Sequence, residues 1–265
     1  MKNDNLFTLT YLGRILSGLT LATILAASPS LGAEDIDPAA ESILQSMSSY
    51  LAATKALSVN ADVDFEIINP KGQKLQFSSF VTARIERPAN IHLTRKGMTS
   101  DYEIIFNGKL FTVYSRTLNA YSQIEGSGSI DDAFLAHEYT TGLPISGGDF
   151  FFSDPFTRLS SGVESGDYIG IAYVYGVECH HLAFRNAETD WQLWVTVGDQ
   201  PLPMKYVVTT KWVTGAPQYE IRLRDWDTNP EIEAGEFSFS VPEDAKKLDV
   251  VPREKVFGII SRGEG

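Results

Sequence analysis

The sequence has one cysteine, few basic residues and, beyond its first thirty residues, no apolar run long enough to span a membrane. One cysteine among 265 residues excludes an intramolecular disulfide framework and a cysteine-rich zinc module. The 22 basic and 34 acidic residues give a formal charge of −12. This balance argues against nucleic acid as a partner, because phosphate binding needs a basic surface. It also argues against broad binding to anionic lipid.

The short motifs of several common enzyme classes are absent as well. The chain contains no G-x-S-x-G motif of serine hydrolases, no phosphate-binding loop and no dinucleotide fingerprint. Acidic pairs such as Asp131-Asp132 would suit glycosidase chemistry only if two carboxylates faced one cleft. We therefore expect a protein that is not an enzyme, with no catalytic residue and no cofactor.

Residues 1–33 have the pattern of a signal peptide. Lys2 and Arg14 precede an apolar run from Ile15 to Ala27, and a small residue, Ala33, ends the segment. The run is shorter than the roughly 20 residues of a membrane span. We predict cleavage near Ala33, export to the periplasm of a Gram-negative cell and no stable membrane insertion afterwards. An uncleaved amphipathic anchor is the alternative.

After this leader, the pattern predicts one helix followed by many strands. Asp37-Pro38 suits a helix start, with Asp37 as the N-cap. From Leu57 the apolar period changes to two, and turn signals such as Asn107-Gly108 separate alternating strands. We count about 10–11 strands in meander order, interrupted by a helical segment that begins at Ser129. Ser129 and Asp132, three residues apart, loosely resemble a capping box at its start.

The order of these elements predicts the fold class. No βαβ alternation occurs, which argues against a parallel sheet. We expect an α+β fold: a curved, unclosed antiparallel β half-barrel with helices covering its concave side, because so long a sheet must curl. No linker rich in Pro, Gly or Ser divides the chain. We therefore predict a single domain over residues 34–250 and a loose C-terminal tail at 251–265.

Cysteine and histidine meet at Cys179-His180-His181. On a strand, Cys179 and His181 face one way and His180 the other. Cys179 and His181 are remote candidates for a zinc or copper site, with Asp190 as a third ligand. Because His181 lies about 7 Å along the strand from Cys179, a cysteine nucleophile with a histidine base is disfavoured. We favour a structural role in strand packing.

Aromatic residues are concentrated where they would suit a binding interior. Four phenylalanines within seven residues predict a short helix or a lid over the sheet. Trp191 and Trp194 are three apart, so on a regular strand they face opposite sides. The candidate apolar lining or lid consists of Phe150, Phe151, Phe152, Phe156, Trp194, Trp212 and Trp226. A container for an apolar ligand and a dry packed core are equal interpretations.

Several short segments carry a family resemblance. They are Val177–Phe184, Asp190–Gln192, Pro201–Pro203 with Lys205, Pro217–Tyr219 and Asp225-Trp226. Together they resemble the predicted periplasmic proteins of domain-of-unknown-function family 2092, over about residues 36–248. That family is similar in outline to the LolA-like lipoprotein carriers and to sigma-factor regulators of the same architecture. The resemblance implies an unclosed antiparallel barrel with helices as a lid, and no catalytic residues.

Three functions remain open from the sequence. The first is a periplasmic carrier for an apolar small molecule, a lipid or an acylated protein, which requires an apolar space between sheet and helices. The second is an envelope sensor or assembly factor that binds another protein through an exposed apolar patch. The third and most remote is a metal-dependent activity at Cys179 and His181.

Overall fold

A computed structural model describes residues 36–98, 101–126, 128–141, 145 and 147–249. The predicted signal peptide (residues 1–33) and the predicted tail (residues 251–265) lie outside this range. In the described residues, no helix combines the length and apolar character needed to cross a membrane.

The described elements are a few helices and a large set of strands. The helices are α1 (Pro38–Ala53), α2 (Ile130–Thr141), a 3-10 helix (Gly148–Phe151) and α3 (Pro155–Ser160). The first six strands are β1 (Ala56–Ile68), β2 (Lys74–Glu86), β3 (Asn90–Gly97), β4 (Asp101–Asn107), β5 (Leu110–Ser115) and β6 (Ala120–Glu125). The others are β7 (Val163–Val174), β8 (Val177–Asn186), β9 (Thr189–Thr196), β10 (Pro203–Thr210), β11 (Gln218–Asp227) and β12 (Lys246–Lys247).

The sequence signals for both predicted helix starts are confirmed. The Asp37 carboxylate accepts a hydrogen bond from the Ala39 amide at 2.8 Å, so Asp37 is the N-cap of α1. At α2, the Asp132 amide donates to the Ser129 hydroxyl, which in turn donates to the Asp132 carboxylate. The bond from the Asp132 amide to the Ser129 hydroxyl is the N-cap half of a capping box, and the Asp132 carboxylate returns to the Ser129 hydroxyl rather than to its backbone amide.

All twelve strands belong to one sheet. Their order is β12-β6-β5-β4-β3-β2-β1-β11-β10-β9-β8-β7. Neighbouring strands are antiparallel except β12, which is parallel to β6. The end strands β12 and β7 are not neighbours, so the sheet is unclosed and the predicted fold class is confirmed. The strand count exceeds the prediction because β12 has two residues and no alternating pattern.

The core lies on the face of the sheet that the helices cover. A flat sheet of this many strands would be about 50 Å wide. Buried residues from both halves, such as Phe106 of β4 and Tyr206 of β10, nevertheless belong to one contiguous cluster with Leu44 of α1 and Phe134 of α2. The sheet therefore curls around its helices, and this concave face carries the main core.

A second, smaller cluster lies on the opposite, convex face. It contains Val174, Cys179 and Met204, with Trp194 and Trp226 packed against it. Val174 and Cys179 come from the two sides of the β7–β8 hairpin, and Met204 comes from β10. The hairpin therefore bends back over the convex face and buries part of it.

The C-terminal segment, residues 228–249, crosses the convex face near the other end of the sheet. Glu236 bonds the His92 ring on β3 at 3.0 Å, and the Phe239 ring packs against the rings of Tyr114 and Tyr121. The Leu248 amide donates to the Tyr121 carbonyl at 2.8 Å. Through these contacts the segment covers the outer edge of β6.

Candidate ligand interior and its lid

The four phenylalanines of the predicted lid lie on the segment from residue 147 to 160, which we call the lid. Phe150, Phe151 and Phe152 are all buried on or beside the 3-10 helix. Phe156 is partly buried on α3 and packs against the same core. Glycine at 147 has a φ of 74°, a left-handed conformation that glycine adopts without strain. This turn leads directly into the 3-10 helix that carries the buried phenylalanines.

The lid side chains contact both the sheet and α2. The Phe150 ring meets the Tyr206 ring of β10 edge-on, with 5.4 Å between ring centroids. The Phe152 ring meets the Phe134 ring of α2 in the same way, at 5.7 Å. Edge-to-face pairs at these distances add to the stabilisation from burial alone. At these points, side chains fill the space between lid and sheet.

Polar contacts hold the rim of the lid. The Arg158 guanidinium on α3 bonds Asp149 at 2.9 Å and Glu138 of α2 at 2.5 Å, and it lies over the Phe152 ring at 4.8 Å. Burial alone would lower the pKa of Arg158, but Asp149 and Glu138 raise it, and the net direction is upward. Arg158 therefore stays charged and links three parts of the cover.

A second set of polar contacts joins the lid to the turn between β2 and β3 and to α2. Arg87 donates through Nη1 to the Phe151 carbonyl at 2.8 Å. The Ser153 amide and hydroxyl both donate to the Asp131 carboxylate of α2. Burial lowers the pKa of Arg87, and the charge of Asp131 partly opposes this shift. The lid backbone is thus fixed at Phe151 and Ser153.

Aromatic rings line the sheet side of the interior, and two titratable side chains, Tyr206 on the sheet and His137 on α2, are buried within it. Trp191 stacks on Phe184 with 4.2 Å between ring centroids, and its Nε1 donates to Asn186 at 2.8 Å. Burial raises the pKa of the Tyr206 hydroxyl far above its usual range. Burial also lowers the pKa of His137, beside Phe111, to about 4. Both side chains are therefore neutral at physiological pH.

Two of the tryptophans predicted to line the interior do not lie there. Trp194 pairs with His181 across β8 and β9 and lies on the convex face, where it stacks on the His181 ring at 4.1 Å. Trp212 is 72% exposed in the turn after β10. Trp226 is partly buried and touches both clusters. Of the four tryptophans, Trp191 is the one that faces the lid, a choice that alternation alone left open.

The side chains of the Cys179-His180-His181 run make packing and hydrogen-bond contacts within the sheet. Cys179 is fully buried in the convex cluster, and burial raises the pKa of its thiol, which disfavours the reactive thiolate. His181 bonds Gln192 at 2.9 Å, and Asp190 instead pairs with Arg185 and Lys211. No group of three potential metal ligands occurs in the described part of the chain.

The sequence missed the polar residues that hold the lid. Glu138, Asp149 and Arg158 are close in sequence, but nothing in their spacing predicted one shared contact. The one available indication was the presence of a helical segment at Glu138 close to the phenylalanine-rich segment. An arginine beside an aromatic run suggests a cation–π contact, which Arg158 makes with Phe152.

An open cavity of about 490 Å³ lies on the convex side of β7, β8 and β9. Its polar lining includes Asp167, Arg185, Asp190 and Gln192. Because directly opposed residues share a face of the sheet, the pairs Asp167 with Ala183 and Ala183 with Gln192 place this cavity away from the lid.

A family model described as "predicted periplasmic protein (DUF2092)" matches residues 40–251. The chain belongs to this family. The resemblance stated from the sequence is confirmed, and the periplasmic location predicted from the leader agrees with the family description. No curated protein matches the chain.

The structure is also similar to solved structures of low sequence identity. The lipoprotein LppX of Mycobacterium tuberculosis is 12% identical with a TM-score of 0.48, and the match covers 74% of this chain and 100% of LppX. An uncharacterized conserved protein of Thermus thermophilus is 10% identical with a TM-score of 0.47, covering 79% and 98%. A LolA superfamily protein of Nitrosomonas europaea is 10% identical with a TM-score of 0.37, covering 76% and 97%.

Proposed function

We propose that this family member is a non-enzymatic periplasmic carrier that binds an apolar ligand, a lipid or the acyl chain of a protein, between its sheet and its helices. The observation that carries the proposal is the lid. Three consecutive phenylalanines occupy the concave side of a curved sheet, on a segment whose longest helix has 6 residues. Helices this short depend on packing for their stability.

The ligand would take the place of lid side chains. Phe150 and Phe152 contact the sheet and α2 directly, so an acyl chain enters only when the lid moves outward. Movement exchanges one apolar partner for another, because the sheet face beneath remains apolar and the ligand covers it. The lid has few buried polar contacts to break, chiefly those of Arg158 and Arg87.

The test uses N-phenyl-1-naphthylamine, a neutral fluorophore that brightens in apolar surroundings. We expect the protein to bind the probe, and Arg158→Ala to speed its uptake because the lid opens more often. If the Arg158 contacts stabilise the closed lid by about 1 kcal/mol, opening becomes about five times more frequent. Stopped-flow fluorescence measures the uptake rate.

Arg116→Ala is the matched control. Arg116 also pairs with two carboxylates, Asp101 and Glu103, but on strands remote from the lid. Its replacement should leave uptake of the probe unchanged. Absence of binding to both the unaltered protein and Arg158→Ala would sink the proposal. Equal acceleration of probe uptake by both variants would show that the Arg158 contacts do not control entry of the ligand.

A further inference from the structure

The two ends of the sheet are treated differently. At one end, β12 pairs with β6 through Lys246 and Lys247, so backbone and positive charge cover that edge. At the other end is β7, whose outer edge is met by Ile36 and Asp37 at Gly166. Beyond Gly166, no described segment pairs with this edge of β7.

The uncovered part of β7 carries apolar side chains. Ile169, Ile171 and Tyr173 are 56%, 50% and 67% exposed. Proteins usually protect edge strands with lysine, proline or a bulge. β7 has no lysine, arginine or proline. Its register with β8 shifts twice, between Val163 and Ser165 and between Tyr168 and Gly170, and the second shift is the one within the uncovered part. A patch of this kind typically marks an interaction site.

The two faces of this edge differ in chemistry. Ile171 pairs with His180 and Tyr173 with Glu178, so both project from the concave face, as Leu182 does. Asp167 pairs with Ala183 and projects from the convex face, where it lines the 490 Å³ cavity. A strand added here would place alternate side chains against an apolar strip and beside a carboxylate.

The hairpin that carries β7 is held in place. At its turn, the Tyr175 hydroxyl donates to the Asp62 carboxylate of β1 at 3.0 Å. Val174 and Cys179 pack against Met204 of β10. The edge of β7 is therefore already ordered, and binding of a partner strand would not lose free energy in ordering it.

We propose that the uncovered edge of β7 binds an extended segment of another envelope protein, added as a further strand, with apolar side chains on one face and basic side chains on the other. Main-chain hydrogen bonds supply affinity in this mode of recognition. Asp167 is exposed on the convex face of the uncovered part, Glu164 is exposed just before it, and Glu178 is exposed on the same face as Tyr173. The whole chain carries a charge of −12. These charges favour a basic partner.

The same charges argue against two other occupants. In a second copy, β7 would meet a strand that is acidic and apolar rather than basic. An anionic membrane would be repelled. The proposed surface lies outside the lid and does not depend on what the interior binds.

The probe is a fluorescent peptide of four Lys-Val repeats, compared with a peptide in which one central valine is proline. Both carry the same charge, but proline cannot donate to a strand pair. Fluorescence anisotropy should show binding of the first peptide and at least about tenfold weaker binding of the second. Ile171→Lys should weaken the first by about tenfold or more, because it places a charged side chain against the valine side chains of the peptide.

Val241→Lys is the control, since Val241 is 56% exposed outside the strands and the variant gains the same charge. Its affinity should change by less than about twofold. Equal binding of the proline peptide, or equal weakening by both variants, would overturn the proposal.

Two further outcomes would assign the edge to a different occupant. A dimer in sedimentation velocity that Ile171→Lys dissolves would mean a second copy. Binding to phosphatidylethanolamine–phosphatidylglycerol vesicles that is lost in Ile171→Lys would mean a bilayer. Uptake of N-phenyl-1-naphthylamine should be unchanged in Ile171→Lys, so failure here and failure of the carrier proposal can be told apart.

Discussion

Trp191 and Trp212 show how strongly position decides the contribution of a side chain. Trp191 is 4% exposed, stacks on Phe184, meets Tyr206 edge-on and donates a hydrogen bond to Asn186. Trp212 stands in an exposed turn without a place in either cluster. The sequence pattern does not distinguish the two, because the burial of each side chain depends on partners far away in the chain.

We predict that Trp191→Ala lowers the free energy of unfolding by about 3–5 kcal/mol, because it leaves a large cavity beneath the lid. Trp212→Ala should change it by less than about 0.5 kcal/mol. Urea unfolding followed by circular dichroism measures both values. A comparable loss in the two variants would contradict the assignment of Trp191 to the interior.

At the scale of elements, the C-terminal segment is attached to the sheet partly through one histidine. Both ring nitrogens of His92 meet carboxylates, Glu103 at 2.6 Å and Glu236 at 3.0 Å. Hydrogen bonding to Glu103 is the main cause that raises the pKa of His92 above its ordinary value of 6.5, with Glu236 contributing and burial opposing. In its protonated form, the His92 ring thus bridges β4 and the C-terminal segment.

This arrangement predicts a pH dependence of a stated sign. A raised pKa in the folded state stabilises the protein below pH 6.5, and the contribution is lost as the pH rises through the raised pKa. The amide of Leu248, which bonds Tyr121, should then exchange faster with solvent than intrinsic exchange explains. His92→Gln should abolish this extra dependence, as hydrogen exchange monitored by NMR would show.

His180→Gln is the control for that experiment. The His180 ring has a tyrosine hydroxyl, that of Tyr168, as its partner at 3.2 Å, and it lies on the other half of the sheet. Protection of Leu248 should depend on pH in this variant as it does in the unaltered protein. A pH dependence that survives in His92→Gln would show that other groups hold the segment.

Local signals predicted elements well but not which way they face. Asp37 and Asn107-Gly108 mark a helix start and a hairpin through contacts within a few residues. The direction in which the Trp226 side chain points depends instead on a bulge, because Asp225 has a φ of 55° and the register with β1 shifts there. Strand alternation cannot reveal such an extra residue, and β12 has no pattern at all.

At the scale of the whole molecule, the main cluster joins every strand from β1 to β5 and from β7 to β11 with the helices. That continuity supports our proposal of a single domain over residues 34–250. The fold class could be predicted because consecutive strands pair with each other, and the strands and the turns between them are marked by local sequence patterns. The contacts of the lid with β10 and of the β7–β8 hairpin with Met204 could not be predicted, since both join segments that are distant in the sequence.

We predict that the protein unfolds in one cooperative transition. Tryptophan fluorescence reports the second half of the chain, which contains all four tryptophans, whereas circular dichroism in the far ultraviolet reports the whole sheet. The midpoints from the two probes in urea should coincide, because a shared core couples both halves. Two separated transitions would divide the chain into independent units.

The hydrogen bond between Tyr175 and Asp62 has a mechanical consequence. It joins the turn of the β7–β8 hairpin to β1, although β9, β10 and β11 lie between β8 and β1 in the sheet. Any change in sheet curvature alters the span between these two anchored points. The bond therefore acts as a brace that keeps the β7–β8 turn at a set distance from β1.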